Sequence, residues 1–549
     1  MRLPTFNNLM GSPKDPSGRQ PIRFRNRPGR LLLLTLAFMI APLSLQGGRI
    51  YDIIVRNGAV LDGTDRPAYK ADVAIHRGKI AAIGHLTDDR GREEIDAAGL
   101  TVSPGFIDTH SHAGPGLATE ELSHGRPLLA QGITTVFINP DGGGATNLAA
   151  QKRALRKHGL GVNVAQFISH GSVRREVMGL EARNPTKSEQ KGMLRVVARA
   201  MRNGGWGLSS GTFYAPGSYA EPEEIIDLAR AASKFGGVYQ SHIRDESNYS
   251  VGLLAAVEEV IEVGRRAHLP AVVTHIKALG PPVWGQSEEV IARINRARDE
   301  GVEVYADQYP YTASATGLTA ALVPRWAQAG GKDSLIARLG SSETETKIKS
   351  EMKKNLVRRG GAKRIQFRRV SFDPSWEGKR LDDAAKAWDV SPIDAALRLV
   401  TQGYVGIVSF NMSGEDVRAF MKQPWTMTAS DGGLVPWMEG VPHPRSYGAF
   451  TEKIERYVMK EAGVDLPTAV RSMTFLPARV YGMDDRGVLE EGAVADIAIF
   501  DPEKIRTPAT YTAPHRLSEG MVYLFVNGEA AIREGQFTGA LAGKVLRKK

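Results

Sequence analysis

The sequence predicts an α/β fold: a (β/α)8 TIM-like barrel, with a small β-sandwich domain formed from both chain ends and a helical insertion. Three observations predict it. Apolar strands alternate with helical patterns from about residue 104 to 480, short strands broken by tight-turn pairs occupy both flanks, and chemistry-bearing side chains recur where the middle strands end. Repeated βα units over this length favour a parallel barrel, whose site lies at the C-terminal ends of its strands. A doubly wound open sheet is the alternative, but no Gly-x-Gly-x-x-Gly follows a first strand. At 549 residues the chain exceeds one ordinary domain and is long enough for a barrel with a satellite.

Residues 1–49 stand apart from that scheme. Arg23, Arg25, Arg27 and Arg30 precede an apolar run from Leu31 to Leu45. A basic flank before a run shorter than the ~20 residues of a membrane span reads as a signal peptide or an uncleaved anchor. The expectation is export, to the periplasm or to a membrane-attached state, with a cytoplasmic location if the segment is no signal. Of the net charge of +11, this segment holds +7, from eight Lys/Arg and one Asp, so +4 remains for the rest. A second basic cluster, Lys353, Lys354, Arg358, Arg359, Lys363, Arg364, Arg368 and Arg369, has little aromatic interleaving. It reads as a solvated helical face, and no nucleic-acid partner is expected. The chain has no cysteine, which excludes disulfides and thiolate metal ligands.

From 50 to 103 the pattern is strand and turn. Asp52 to Val55 leads to Asn57-Gly58, Ala59 to Leu61 leads to Asp62-Gly63, and Ala71 to His76 turns at Arg77-Gly78 into Ile80 to Gly84. Asn-Gly and similar pairs between short apolar runs are hairpin signals. The texture returns at 481–549, with strands at Gly487 to Leu489, Ala495 to Phe500, and Val522 to Val526 before Asn527-Gly528. In the middle, Val102 to Asp108, Gly132 to Ile138, Val238 to Ser241, Ala271 to His275 and Val302 to Ala306 read as buried strands. Pro222 to Phe235 and Gly252 to Arg266 read as helices between them. The charged interval 331–400 reads as the helical insertion.

The ends of those strands carry the chemistry. His110 and His112 end the first, one residue apart, and so point to one face of a strand. Asp141 follows the second, before three glycines, and His242 and His275 end later ones. Met427 to Ser430 ends in Asp431. Four imidazoles and two carboxylates at one rim suit one or two divalent ions with an open position for water. Such an ion lowers the pKa of bound water to ~7 and polarises a carbonyl. Asp431, last in the series, is the candidate proton shuttle.

These residues resemble the metal-dependent amidohydrolase superfamily. Pro104 to His112, Pro-Gly-Phe-Ile-Asp-Thr-His-Ser-His, is similar to its opening signature, and Gly492 to Ile497 to its closing one. Within it the chain looks most like the N-acyl-D-amino-acid deacylases, through Gly132–Val136, His170–Arg174, Gly207–Gly217, Tyr239–Glu246, Tyr309–Ala313 and His443–Gly448. The resemblance implies a first metal site at His110 and His112, a tightly bound Zn2+ at His242 and His275 with room for a second ion, and Asp431 as the base. It implies Lys277, Tyr309 and Arg445 as holders of the substrate α-carboxylate, with Tyr214 and Arg244 as further substrate contacts. Where D-aminoacylases carry a shared Cys ligand, this chain has Asp141. A Ser often found six residues after the first Tyr of Tyr-Pro-Tyr is Ala315 here, beside Ser314. The implied reaction is zinc-dependent hydrolysis of an N-acyl-D-amino acid to a carboxylate and a free D-amino acid. The alternatives are a cyclic-amide hydrolase of the dihydropyrimidinase or dihydroorotase sort, a dipeptidase acting on D-residues and, ranked below these, a non-catalytic binding scaffold. Oligomeric state is not legible.

Overall fold

The computed structural model describes residues 48–548. The expected signal or anchor segment, 1–49, therefore lies almost wholly outside the described residues. Among those described, no helix is long and apolar enough to cross a membrane.

Eight parallel strands form the barrel: Phe106–Ser111, Ile133–Ile138, Asn163–Gln166 with its continuation Ile168–Ser169, Gly207–Gly211, Val238–His242, Ala271–Val273, Val304–Gln308 and Thr426–Thr428. Every strand pairing within it is parallel. The ring closes where the last strand meets the first. The Asp431 amide donates to the His110 carbonyl at 2.8 Å, and the His112 amide donates to the Gly432 carbonyl at 2.8 Å. Helices cover the outside with their apolar stripe. Leu253–Ala267 turns Val257, Val260, Ile261 and Gly264 inward, and Lys187–Arg202 starts from a capping box between Thr186 and Glu189.

The two chain ends meet in a separate sheet domain, as expected. Its nine strands include Ile50–Val60, Tyr69–His76, Lys79–Gly84 and Thr101–Pro104 from the first end and Ile497–Phe500, Met521–Val526 and Glu529–Arg533 from the second. The junction is the antiparallel pairing of Thr101–Pro104 with Ile497–Phe500. Val55, Val73, Val102, Ile497 and Phe525 pack in its core. Two turn pairs behave as expected: Arg77-Gly78 and Asn527-Gly528 all take positive φ between paired strands. Asn57-Gly58 does not make a hairpin. Ile50–Val60 is one strand, and the register shift between Val55 and Gly58 marks a β-bulge with Asn57 at φ 61°.

The run Val102 to Asp108, expected as one strand, is divided. Thr101–Pro104 belongs to the sheet domain and Phe106–Ser111 to the barrel. Gly105 sits at the break, its amide donating to the Asp496 carbonyl at 2.8 Å. The segment between the last two barrel strands holds helices Lys332–Leu339, Ser342–Arg358, Leu381–Ala387 and Pro392–Gln402. It also holds the antiparallel sheet of Ser314–Gly317, Val405–Ser409 and Ile365–Val370. Leu318, Ile348, Phe367, Leu399 and Ile407 give it its own core. Finally, residues near 542–546 return to the barrel. The Val164 amide donates to the Lys544 carbonyl and the Leu546 amide to the Val164 carbonyl, each at 2.8 Å.

A Cβ at Gly105 would lie 2.3 Å from Thr134 Cγ2 and 2.4 Å from its Oγ1. Thr134 is β-branched and fully buried, so it cannot swing away. Gly105→Ala is expected to destabilise the protein by ~1–3 kcal/mol, read as a lower urea midpoint. An unchanged midpoint would refute this account of the domain junction.

Candidate active site

The barrel delivers all six strand-end residues to one place. The closest approaches centre on Asp141. Its Oδ1 lies 3.3 Å from His110 Nε2, 3.3 Å from His275 Nε2 and 3.7 Å from His242 Nδ1, and its Oδ2 lies 3.2 Å from His112 Nε2. Asp431 Oδ1 is 3.2 Å from His112 Nε2 and 3.7 Å from His110 Nε2. Two ligand groups result, His110–His112–Asp141–Asp431 and Asp141–His242–His275, sharing Asp141.

Local backbone explains how the carboxylates arrive there. Asn139, Asp141, His275 and Asp431 have φ of 67°, 54°, 37° and 48°, a left-handed region costly for a residue with a Cβ. Each is held from outside. Asn139 exchanges hydrogen bonds with Gln151 at 2.8 Å and donates to the Phe167 carbonyl. The His275 amide donates to Asp307 Oδ1 at 2.5 Å. Asp108, beneath the first strand end, accepts from the Ser430 amide at 2.8 Å and hydroxyl at 2.5 Å. The Gly142 carbonyl accepts from the Ser172 amide at 3.0 Å. The helix carrying Ser172 is anchored by the buried trio His170, Arg174 and Glu224.

The donor set fits a cation. His110 Nε2, both ring nitrogens of His242, and Asp141 Oδ1 are buried with no hydrogen-bond partner. Such orphaned polar atoms are rare in native interiors unless an ion or water meets them. Four imidazoles with a bridging carboxylate suit zinc. Burial drives the His242 imidazole down to about 3, so it stays neutral and ready to ligate. His112 and His275 behave oppositely. Burial favours their neutral forms, but the carboxylates of Asp141 and Asp431 raise His112 to about 9, and Asp141 and Glu246 raise His275 to about 10.

The cavity around these groups has a volume of about 710 Å³, within the range of small-molecule sites. Arg445 Nη1 is 2.8 Å from Asp431 Oδ2, and its guanidinium lies over the Tyr309 ring at 4.7 Å. Burial alone would raise the Asp431 carboxyl, but the Arg445 charge, with His112, His275 and His110, together outweighs it and holds the group ionised. Lys277, 3% exposed, donates to Glu246 at 2.5 Å and sits 2.7 Å from His275 Nδ1. Tyr214 packs its ring 4.6 Å from that of His242, with its hydroxyl 3.2 Å from Thr316 Oγ1. Lys277, Tyr309, Arg445 and Tyr214 all line the cavity.

Arg244 does not join them. Its guanidinium pairs with Glu259 at 2.7 and 2.8 Å and donates to the Ser218 and Ala220 carbonyls. Four of its five N–H donors are directed to structural partners and it does not line the cavity, so its expected substrate contact is withdrawn. The basic cluster read as a solvated face is also corrected in part: Arg359 is fully buried, and both it and Arg368 line the cavity. Two residues that sequence reasoning passed over matter here. Glu246 reaches His242, His275 and Lys277 at once, and its signal was its spacing of four from His242. His443 accepts from the Arg445 amide at 3.0 Å through Nδ1, and its Nε2 lies 3.0 Å from the Ala313 carbonyl.

A model of the amidohydrolase family, Amidohydro_3, matches residues 93–532. An N-acyl-D-glutamate deacylase of Alcaligenes xylosoxydans xylosoxydans is 33% identical over 528 residues, covering 90% of this chain and 96% of that protein. A D-aminoacylase of the same organism is 31% identical, covering 92% and 99%. Among solved structures, the N-acyl-D-glutamate deacylase of Bordetella bronchiseptica, complexed with zinc and a phosphonate mimic of the tetrahedral intermediate, superposes with a TM-score of 0.77 at 33% identity. It covers 91% of this chain and all of that one. A D-aminoacylase structure concerned with a binuclear metal centre gives 0.78 at 30% identity, covering 90% and 100%.

The carboxylates beside His112 and His275 favour their protonated forms, so zinc is expected to compete with protons at these rings. Affinity is expected to rise with pH from 6.5 to 8.5, by up to about tenfold per unit for each proton released, in chelator-competition titrations. Asp141→Ala, which removes the ligand shared by the two groups, is expected to cost at least about tenfold in metal affinity. A pH-independent affinity, or an Asp141→Ala variant that binds metal as tightly as before, would contradict this geometry.

Proposed function

The chain belongs to the amidohydrolase family, and from that premise we propose that it hydrolyses the amide of N-acyl-D-amino acids, releasing a carboxylate and a free D-amino acid. It is a hydrolase of carbon–nitrogen bonds other than peptide bonds. The observation that carries the reading is the convergence of four imidazoles on Asp141 beside an ionised Asp431, in a chain alike over nine-tenths of its length to deacylases.

The metal centre is proposed as one tightly held zinc at His242, His275 and Asp141, with a second position at His110 and His112. When bound, zinc supplies an acidified water and a polarised acyl carbonyl. The rest is the work of this chain's side chains. Asp431, kept ionised by Arg445, accepts the proton of the attacking water and returns it to the leaving amine nitrogen. Arg445 and Lys277 offer charge to the α-carboxylate, and Tyr309 backs both with its ring. Glu246 fixes Lys277 and His275, so the ligand ring is oriented by a carboxylate behind it. Export is proposed on the strength of the basic-flanked apolar run Leu31–Leu45.

The test is amine release by the zinc-loaded protein from N-acetyl-D- and N-acetyl-L-amino acids. Turnover of D but not L substrates is expected, with Asp431→Asn losing about 10²–10⁴ in kcat while keeping its zinc. Absence of turnover on every D substrate by zinc-loaded protein would end the deacylase reading.

A further inference from the structure

Four arginines are buried among the described residues, and three have a carboxylate: Arg174 with Glu224, Arg445 with Asp431, and Arg486 with Asp496. Arg359, 1% exposed, has none within 4.0 Å. Its Nε donates to the Tyr249 hydroxyl at 2.8 Å and its Nη1 to the Ser409 hydroxyl at 3.1 Å, both neutral partners. A buried charge without a counter-charge is unfavourable, and a guanidinium cannot escape by losing its proton. Lys453 shows the contrast. It too is buried with only hydroxyl partners, Thr428 and Ser472, but burial brings it down to about 7, where it can be neutral.

Arg359 is also a wall of the cavity that contains the metal-ligating groups. Arg368 lines the same cavity; its Nη2 donates to the Tyr404 hydroxyl at 3.0 Å, its Nε is buried without a partner, and it likewise has no carboxylate within 4.0 Å. The carboxylates lining the cavity, Asp141, Glu246 and Asp431, are all engaged with the histidines, Lys277 and Arg445. The cavity therefore has a metal end where charges are matched. It also has an end, supplied by the segment between the last two barrel strands, where positive charge is unmatched.

We propose that Arg359 and Arg368 form a subsite for a second carboxylate of the substrate, so that the enzyme selects N-acyl-D-amino acids bearing an acidic group besides the α-carboxylate. The proposal rests on the deacylase reading and deepens it. Of three relatives at 30–33% identity, two are named for D-glutamate and D-aspartate and the third as a D-aminoacylase, so likeness alone does not assign this chain. The second carboxylate can belong to the amino-acid side chain or to the acyl group, and the guanidinium chemistry is the same for both.

Two substrate pairs separate the sources. N-acetyl-D-glutamate against N-acetyl-D-glutamine varies the side chain, and N-succinyl-D-methionine against N-succinamoyl-D-methionine varies the acyl group. With zinc-loaded protein, the acidic member of at least one pair is expected to lead in kcat/KM by about tenfold or more, and the pair that discriminates names the source. Arg359→Met is expected to erase that lead while leaving the neutral member within about threefold, and Arg368→Gln to reduce it, should the first variant fold poorly. Calorimetric binding of D-glutamate against D-glutamine, and of succinate against succinamate, reads the same subsite without turnover. Acid-selective binding lost in Arg359→Met, with no hydrolysis of any substrate, would uphold the subsite and remove the deacylase reading. Equal handling of both members of both pairs, or equal losses on acidic and neutral members in Arg359→Met, would overturn the proposal.

Discussion

Four histidines carried by three different strands share one small space, and Asp141 is the anion that stands among them. The left-handed turn through Asn139, Asp141 and Gly142 lets a single side chain reach from the second strand to the first, fifth and sixth. At Asn139 and Asp141, which carry a Cβ, such backbone costs ~1–3 kcal/mol each, and the hydrogen bonds of Asn139 to Gln151 and Phe167 offset it. Around this carboxylate the remaining charges fall into alternating order. Asp431 faces His112 and Arg445, while Glu246 faces His275 and Lys277. Each buried charge at the metal end has a partner of opposite sign, which is the condition for burying charge at all.

The same region closes the barrel. The amide of Asp431 and the carbonyl of His110 form one rung of the seam, and the amide of His112 and the carbonyl of Gly432 form the other. Side chains of these residues face the cation position while their backbones hold the first strand to the last. Ligand geometry and closure of the ring are thus one structural fact seen from two sides. Asp108 reinforces it from below through both bonds to Ser430.

Much of this was legible in the sequence because strand ends announce themselves. An apolar run that stops at His, Asp or Asn followed by glycine has few other readings, and all six such residues arrive at one rim. Short or polar strands were not legible. Asn163–Gln166 and Gly207–Gly211 carry too few apolar side chains for a periodicity argument, and their strand character comes from the neighbours they pair with. Asn57-Gly58 was misread because a left-handed Asn-Gly pair serves a bulge as well as a turn, and only the partner strand decides. Arg244 was misread because a charge near a ligand looks alike on paper whether it faces a cavity or Glu259. Arg359 and Arg368 were hidden by their neighbours: in a basic run, which members turn inward depends on where a helix ends and a strand begins.

The return of residues 542–546 to the strand beginning at Asn163 has a consequence for biosynthesis. The Lys544 amide reaches the Asn163 side chain across 381 positions of sequence, and the sheet domain likewise waits for strands after Ile497. A ribosome working from the N-terminus exposes nearly the entire barrel before the segment that flanks its third strand has been made. Contacts so distant along the chain form slowly, so the nascent protein carries unpaired, apolar strand edges for most of its synthesis. Its yield in a foreign host is therefore expected to depend on translation rate and chaperone supply more than on the stability of the finished fold.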